Sequence, residues 1–458
     1  MRKSKAPLDL LLGLEVYASS AEGIGGRVKV LEDDFVVEEI AEEGFRCSVE
    51  HPPRVEEGSG DYTWFVMVKR GLDTLSAIRK IARHLGVSSK KFAIAGLKDA
   101  RAVTAQLVCA EGIPPGELLK FRDESGKVVI TTAFRRPYKL YPGMLCGNRF
   151  RIAIRHVDLP PSEIERRIRK ILEEVEEVGG FPAFYGYQRF GTIRPITHLV
   201  GKCVVKGEFE RAVMMLLTEV FPAESERAKR AREYLRDTMD FKGALELFPK
   251  TLHHERAVLY HLARRPGDYA GAIRALPMAV RRLFVGAYQA YLFNRVLSKR
   301  MERGLPISRA VVGDVVAVLY RRGKAERVRS ALRVNQSNVD KVNEFIARGD
   351  AVLALNVFGY DTVLCTGEPG EIEREILKEE EISVRDLAVR HMPELASRGT
   401  LRPASFRPEE LRIASVEEDE LNPGRYKVLL EFSLGRGMYA TVLLRELMKP
   451  ADVLEAGY

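Results

Sequence analysis

The residues of this chain best suited to chemistry gather in Gly96-Leu97-Lys98-Asp99, followed at once by Ala102-Val103-Thr104-Ala105-Gln106. One carboxylate stands there on a tight turn between two apolar runs, Phe92-Ala93-Ile94-Ala95 and Leu107-Val108-Cys109-Ala110, which read as short buried strands. Gly96 is expected to turn the backbone where a side chain would clash. A carboxylate walled by apolar residues stays ionised only if a nearby cation opposes the desolvation that raises its pKa, and in that state it serves as nucleophile or base. Lys98 is one such cation, although adjacent side chains often point apart. The same spacing also describes a plain Lys-Asp turn at the surface.

Composition narrows the class of molecule. The chain has 458 residues, 46% hydrophobic and 30% charged, as expected of a globular protein with two or more cores and not of a disordered one. Its 73 Lys and Arg against 64 Asp and Glu give a formal charge of +9, which favours a polyanionic partner without naming one. Cys47, Cys109, Cys146, Cys203 and Cys365 are too scattered for a Cys-x-x-Cys metal pair or a disulfide framework, so the expected setting is the reducing cytoplasm. His253-His254 would diverge on a helix, and no metal site is expected. The run Leu8 to Leu14, broken by Asp9 and Gly13, is too short and polar for a signal peptide or membrane span. There is no repeat of fixed period.

The elements that would position Asp99 are legible as an α+β pattern. Asp61 to Lys69 is aromatic and β-branched, like a strand buried on one or both faces. A helix should follow, capped by Thr74, with an apolar stripe of Leu75, Ile78, Ile81, Ala82 and Leu85 and a left-handed stop at Gly86. A second helix is expected from a capping box at Ser162, with its stripe on Ile164, Ile168, Ile171, Leu172 and Val175 and its end at Gly179-Gly180. It feeds Phe181-Pro182-Ala183-Phe184-Tyr185-Gly186, which reads as a loop. From about Thr192 to Arg402 the chain turns to charged helices, including Glu224 to Arg236, with strand-like interludes at Val311 to Tyr320 and Ala351 to Val357. Tyr426 to Leu434 returns to a strand, followed by a helix through Met448.

Six ordered blocks resemble the TruD family of pseudouridine synthases. They are Gly26-Arg27-Val28-Lys29 with Asp34 to Glu38; Gly96 to Gln106; Gly147-Asn148-Arg149-Phe150; Gly186-Tyr187-Gln188-Arg189-Phe190-Gly191; Ala287 to Arg295; and Tyr439 to Leu447. The resemblance implies a mixed-sheet catalytic domain interrupted by a large inserted α/β domain, the TRUD domain. The expected division is 1–190 and 403–458 for the catalytic domain and 191–402 for the insert. It implies a cofactor-free enzyme that isomerises uridine to pseudouridine in tRNA, usually at position 13.

On that resemblance Asp99 is the catalytic residue and Lys29 the basic residue that holds its charge. Tyr185 takes the place of an aromatic residue that stacks on the target base, which must first be extruded from the folded RNA, and Phe184 lies beside it. Gln106 and Gln188 either read the uracil edge or brace loops, and Arg189 either meets phosphate or pairs with an acid. Phosphate contacts are expected from residues such as Arg27, Arg189 and Arg194. Asn294 reads as structural, and Arg445 and Glu446 as a mutual pair. The chain departs from the family pattern at Ala183, where an Asn is usual, and at Gly435 and Met438, where Pro and Ser are common. The competing expectation is a catalytically inert RNA-binding protein on the same scaffold, against which the retained Asp99 argues. A hydrolase is disfavoured because no paired carboxylates or Ser-His-Asp set stands at a convincing spacing.

Overall fold

The computed structural model describes residues 2–191, 193–322 and 325–458, so Thr192, where the charged helical stretch was expected to begin, lies outside the described residues. The chain divides into two compact units. The sheet unit comprises Ser19–Glu176, Leu319–Ser330 and Phe406–Tyr458, and the helical unit comprises Met1–Ala18, Glu177–Val318 and Ala331–Ser405.

The sheet unit is built on β1 (Phe35–Ala41), β2 (Tyr62–Arg70), β3 (Phe92–Ile94), β4 (Val103–Glu111), β5 (Val128–Arg136), β6 (Leu145–Val157), β7 (Glu409–Glu418) and β8 (Tyr426–Gly435). Their order across the sheet is β7-β8-β6-β1-β4-β2-β5, with β3 pairing β4 off that path. β1 and β4 are parallel, in register Val36↔Val103, Val37↔Thr104 and Glu38↔Ala105. The pairs on either side of them, β1 with β6 and β4 with β2, are antiparallel. The C-terminal strand rejoins the sheet through β8 and β6, from Gly435↔Gly147 to Tyr426↔Val157.

β2 is buried on both faces, as its composition requires. Phe65 and Met67 join Ile78, Ile81 and Val108 in one core, while Trp64, Val66 and Val68 join Leu107, Cys109 and Phe134 in the other. The helix Thr74–His84 packs into the first core through Ala77, Ile78, Ile81 and Ala82. Its cap is Asp73, whose Oδ1 accepts the Ser76 N–H at 2.9 Å, and not Thr74, whose hydroxyl is used elsewhere. Leu75 is exposed rather than part of the stripe, because position 75 falls on the solvent side of the helix. The next helix, Pro161–Val178, buries Ile164, Ile168, Ile171 and Val175.

The helical unit is organised by the 25-residue helix Met278–Glu302, against which Thr197–Lys206 packs so closely that a Cβ on Gly201 would fall 2.0 Å from the Phe284 carbonyl oxygen. A small antiparallel sheet pairs Ala351–Val357 with Thr400–Pro403 on one side and with Val315 to Val318 on the other. Among the described residues no helix is long and apolar enough to cross a membrane.

One buried cation clamps the sheet unit. Arg155 is 4% exposed and donates to Asp34 at 2.8 Å and Asp419 at 2.9 Å, with Glu420 at 3.0 Å. Burial pushes the Asp419 carboxyl up, but the His156 and Leu421 amides, Asn422 and Arg155 outweigh it and hold the group below the usual range. Replacing Arg155 by Met leaves two buried carboxylates without their cation and is expected to cost about 3–5 kcal/mol in denaturant unfolding. Because the Asp419 pKa is depressed on folding, its contribution in the parent is complete above about pH 4 and lost as pH falls through the depressed value. The difference between parent and variant should therefore shrink in acid.

Candidate active site

Parallel strands begin at the same edge of a sheet, and the loops entering β1 and β4 carry Lys29 and Asp99. Residues 70 apart in sequence thus meet, with Lys29 Nζ donating to Asp99 Oδ2. The lysine side chain is 5% exposed and the aspartate 34%, so the cation forms the floor and the carboxylate faces outward. The ammonium also lies 4.8 Å from the centre of the Phe35 ring, a cation–π contact.

Lys29 sits at φ 56°, a left-handed conformation unfavourable for a side-chain-bearing residue. The preceding segment holds it there. Arg27 exchanges backbone bonds with Arg155 at 2.7 and 2.8 Å, while Ile24, Gly25 and Val28 donate to the carbonyls of Leu447, Met448 and Ala456 at 2.9, 3.1 and 2.9 Å. Gly26 must be glycine, since its φ is 91° and a Cβ would stand 2.8 Å from the Arg155 carbonyl oxygen. On the other side, Asp34 Oδ2 accepts the Leu31 N–H at 2.7 Å while Oδ1 holds Arg155.

The Asp99 loop spans 95–102 between β3 and β4, longer than the tight turn expected. Lys98 points away from the carboxylate, its ammonium 2.7 Å from Glu39 Oε2 and donating at 2.8 Å to Asn148 Oδ1. Its backbone N–H donates to Thr74 Oγ1 at 3.0 Å, the Thr74 hydroxyl donates to Gln106 Oε1 at 2.9 Å, and Gln106 Nε2 donates to the Gly96 carbonyl at 3.1 Å. Gln106 is therefore a fully buried brace, with both ends of its amide engaged inside the protein, and does not present an edge to a base. Gly96 differs from expectation as well, because a Cβ there meets nothing within 4 Å; its role is the carbonyl that Gln106 binds.

Asp99 itself accepts the Arg101 N–H at Oδ1 (3.1 Å), and its carbonyl accepts from Lys69 Nζ at 2.7 Å. Burial pushes its pKa up, but the charge and hydrogen bond of Lys29, the Arg101 amide and the charge of Lys69 outweigh that, and the group ends below the ordinary aspartate value. Leu97, beside Lys98, is 68% exposed, and Val30 and Leu31, which follow Lys29, are also exposed. An ionised carboxylate flanked in sequence by open apolar side chains suits a flat, weakly polar group next to a reacting bond.

In the helical unit Tyr185 is half-buried and firmly fixed. Asn294 accepts its N–H at 2.8 Å and donates to its carbonyl at 3.1 Å and to that of Leu12 at 3.0 Å. The Arg402 guanidinium stacks 4.2 Å from the ring centre and donates to the Ala183 carbonyl at 2.7 Å. The Phe293 ring meets it edge-on at 5.4 Å. Arg189 lies 6.0 Å from the same ring, and Gln188 is exposed. Phe184 is 1% exposed and belongs to the core of its unit, so it offers no face to a base. Arg194 is no phosphate contact. It is turned inward to Glu255 and to the Leu216 and Glu219 carbonyls, and burial pulls its pKa down to about 10. Arg27 is exposed and pairs with Glu455, while Glu446 accepts from Ser19 at 2.9 and 2.7 Å and lies 3.5 Å from the Lys449 ammonium.

Sequence reasoning passed over Lys69, Glu39, Thr74 and Arg402 as site components. A lysine closing an otherwise apolar strand was the available signal for Lys69. Arg402, 217 positions from Tyr185 in sequence, left none.

The family description tRNA pseudouridine synthase D (TruD) matches residues 11–447. Among relatives, the probable tRNA pseudouridine synthase D of Methanosarcina mazei is 38% identical over 96% of both chains. Those of Methanopyrus kandleri and Pyrococcus abyssi are 42% identical over 85% of this chain and 86% of theirs, and 38% identical over 94% and 98%. The crystal structure of the putative tRNA pseudouridine synthase D from Methanosarcina mazei superimposes with a TM-score of 0.81 at 37% identity, covering 97% of this chain and 98% of that one. Fold and site thus define a pseudouridine synthase. The chain belongs to the TruD family of tRNA pseudouridine synthases. The inert RNA-binding reading finds no support in these likenesses.

Lys29→Met removes the cation that most directly opposes desolvation of Asp99. The acid limb of the single-turnover pH–rate profile is expected to move up by about one to three pH units, since an adjacent opposite charge shifts a carboxyl by that amount. Affinity for tRNA should stay near that of the parent, as the Lys29 side chain is buried.

Proposed function

We propose that this chain isomerises uridine to pseudouridine at position 13 of tRNA, in the cytoplasm, with Asp99 as the reacting carboxylate and Lys29 as its charge partner. The general activity follows from family membership, and the observation that carries the roles is the outward-facing, ionised Asp99 on the buried ammonium of Lys29. The reaction breaks the N1–C1′ bond, turns the uracil and forms a C5–C1′ bond; C5 loses a proton and N1 gains one, so no oxidant or reductant is needed. A carboxylate supports such a sequence by attacking the sugar carbon, by adding to the base or by taking a ribose proton.

Recognition completes the reading. A uridine in folded RNA must leave its stack and be received by another π-face, and we assign that role to Tyr185, whose fixed backbone and Arg402 backing hold the ring still. Arg189 and Gln188, on the following turn Tyr187–Arg189, are assigned to the RNA. The sheet unit is read as the catalytic domain and the helical unit as the insert. The chain leaves the sheet unit after Glu176, returns to it for Leu319–Ser330 and again from Phe406, and residues before Ser19 go with the helical unit.

Asp99→Asn keeps the shape of the side chain and removes its charge. Pseudouridine formation on tRNA should fall to background with binding retained, and normal turnover would defeat the assignment. Mapping the product on tRNA transcripts tests the position: replacing U13 by C should abolish modification.

Tyr185→Ala should lose about 1–3 kcal/mol of base stacking in the binding of a uridine-containing tRNA, while Tyr185→Phe, which keeps the ring face, should behave like the parent. Equal behaviour of the Ala variant and the parent would remove Tyr185 from the recognition surface.

A further inference from the structure

Lys69 is a buried ammonium whose hydrogen bond goes to a carbonyl and not to a carboxylate. It lies at the end of β2, is 0% exposed, and donates at 2.7 Å to the backbone oxygen of Asp99. β2 pairs with β4 on the side opposite β1, in register Lys69↔Thr104. Cations thus reach the Asp99 loop from both strands that flank β4: Lys29 touches the carboxylate, and Lys69 touches the main chain of the same residue.

Retention of such a group needs a reason. A buried charge whose hydrogen bond goes to a carbonyl, with carboxylates acting on it only from a distance, is less stable than an apolar side chain of the same shape, and side chains of this kind concentrate where a protein needs an electrostatic field. We propose that Lys69 is a positioning residue for the uridine isomerisation: by gripping the Asp99 carbonyl and placing a second positive charge behind it, Lys69 fixes the loop and keeps the carboxylate ionised.

The charged groups around the pair act on it in both directions. Lys29, from the loop before β1, bonds the carboxylate directly. Lys98, on the Asp99 loop, is neutralised by Glu39 of β1. Arg101 gives its amide to Asp99 and directs its guanidinium to the Lys29 carbonyl at 3.4 Å. Asp73, the cap of the helix after β2, attracts Lys69 from the other side, and Lys98 repels it. Burial nevertheless pulls the Lys69 pKa down to about 8, so the second charge is present through the acid and neutral range and fades as pH rises past that value.

The inference rests on Asp99 as the reacting group, and three variants test the two separately on one tRNA. Lys69→Met should melt no lower than the parent, keep its KM, lose about tenfold in kcat near neutral pH, and show an acid limb displaced upward by about one pH unit. Lys69→Gln keeps a donor for the Asp99 carbonyl but no charge, so it should recover part of kcat and keep the displaced limb. An acid limb unmoved in both variants, a limb restored by Gln, a rise in KM at constant kcat, or a marked drop in the melting temperature of the Met variant would each overturn the proposal. Asp99→Asn separates the two readings. If that variant is inactive and the limb does not move, only the role of Lys69 fails; if it is active, the reading of Asp99 fails and takes this inference with it.

Discussion

A lysine ammonium withdrawn from water must have a negative charge or a set of oxygens around it, and the sheet unit is arranged to meet that requirement for Lys29 while leaving its partner accessible. The unequal exposure of the pair, 5% for the lysine side chain and 34% for the aspartate, gives the site its polarity. Had the exposures been reversed, the opening would present a cation and the carboxylate would be spent as a structural counter-ion. The left-handed backbone at Lys29, the obligatory glycine at position 26 and the Arg155 clamp all serve to bring one side chain to one place.

Sheet topology supplies the rest of the geometry. In a purely antiparallel sheet, adjacent strands start at opposite edges, and the loops preceding them cannot share a site. The single parallel register between β1 and β4 brings two entry loops to the same edge, and the antiparallel neighbours on either side lock that register. β2 then ends at the edge where β4 begins, so a residue at its end, Lys69, reaches the same loop from the other flank. Lys29 and Asp99 stand on the loops that enter their strands, and Lys69 is the last residue but one of β2, still within its ladder.

Much of this was legible in the chain. Apolar alternation and turn residues announced β2, β8 and the helices Thr74–His84 and Pro161–Val178, and short-range chemistry picked out Asp99. β7 was not legible, since Glu409–Glu418 carries charges along an edge strand that buries little and so lacks the apolar signature of a core element. The cap of the first helix was misplaced by one residue because Asp73 and Thr74 are equally good capping types, and only the fold decides that the threonine hydroxyl is needed by Lys98 and Gln106. Phe184 and Arg194 looked available to RNA from their types; burial, a property of the whole chain, removed them. Arg402 was invisible because its partner Tyr185 is close only in space.

The strip of main chain that leads into Lys29 is tied to Leu447, Met448 and Ala456. During synthesis the ribosome delivers Lys29 and Asp99 early, whereas three of the backbone bonds that hold the strip before the lysine wait for residues more than four hundred positions later. A chain that ends before residue 447 contains both side chains and the Arg27–Arg155 bonds but lacks those three. The left-handed backbone at Lys29 therefore gains its last supports only when the C-terminal residues join the sheet unit.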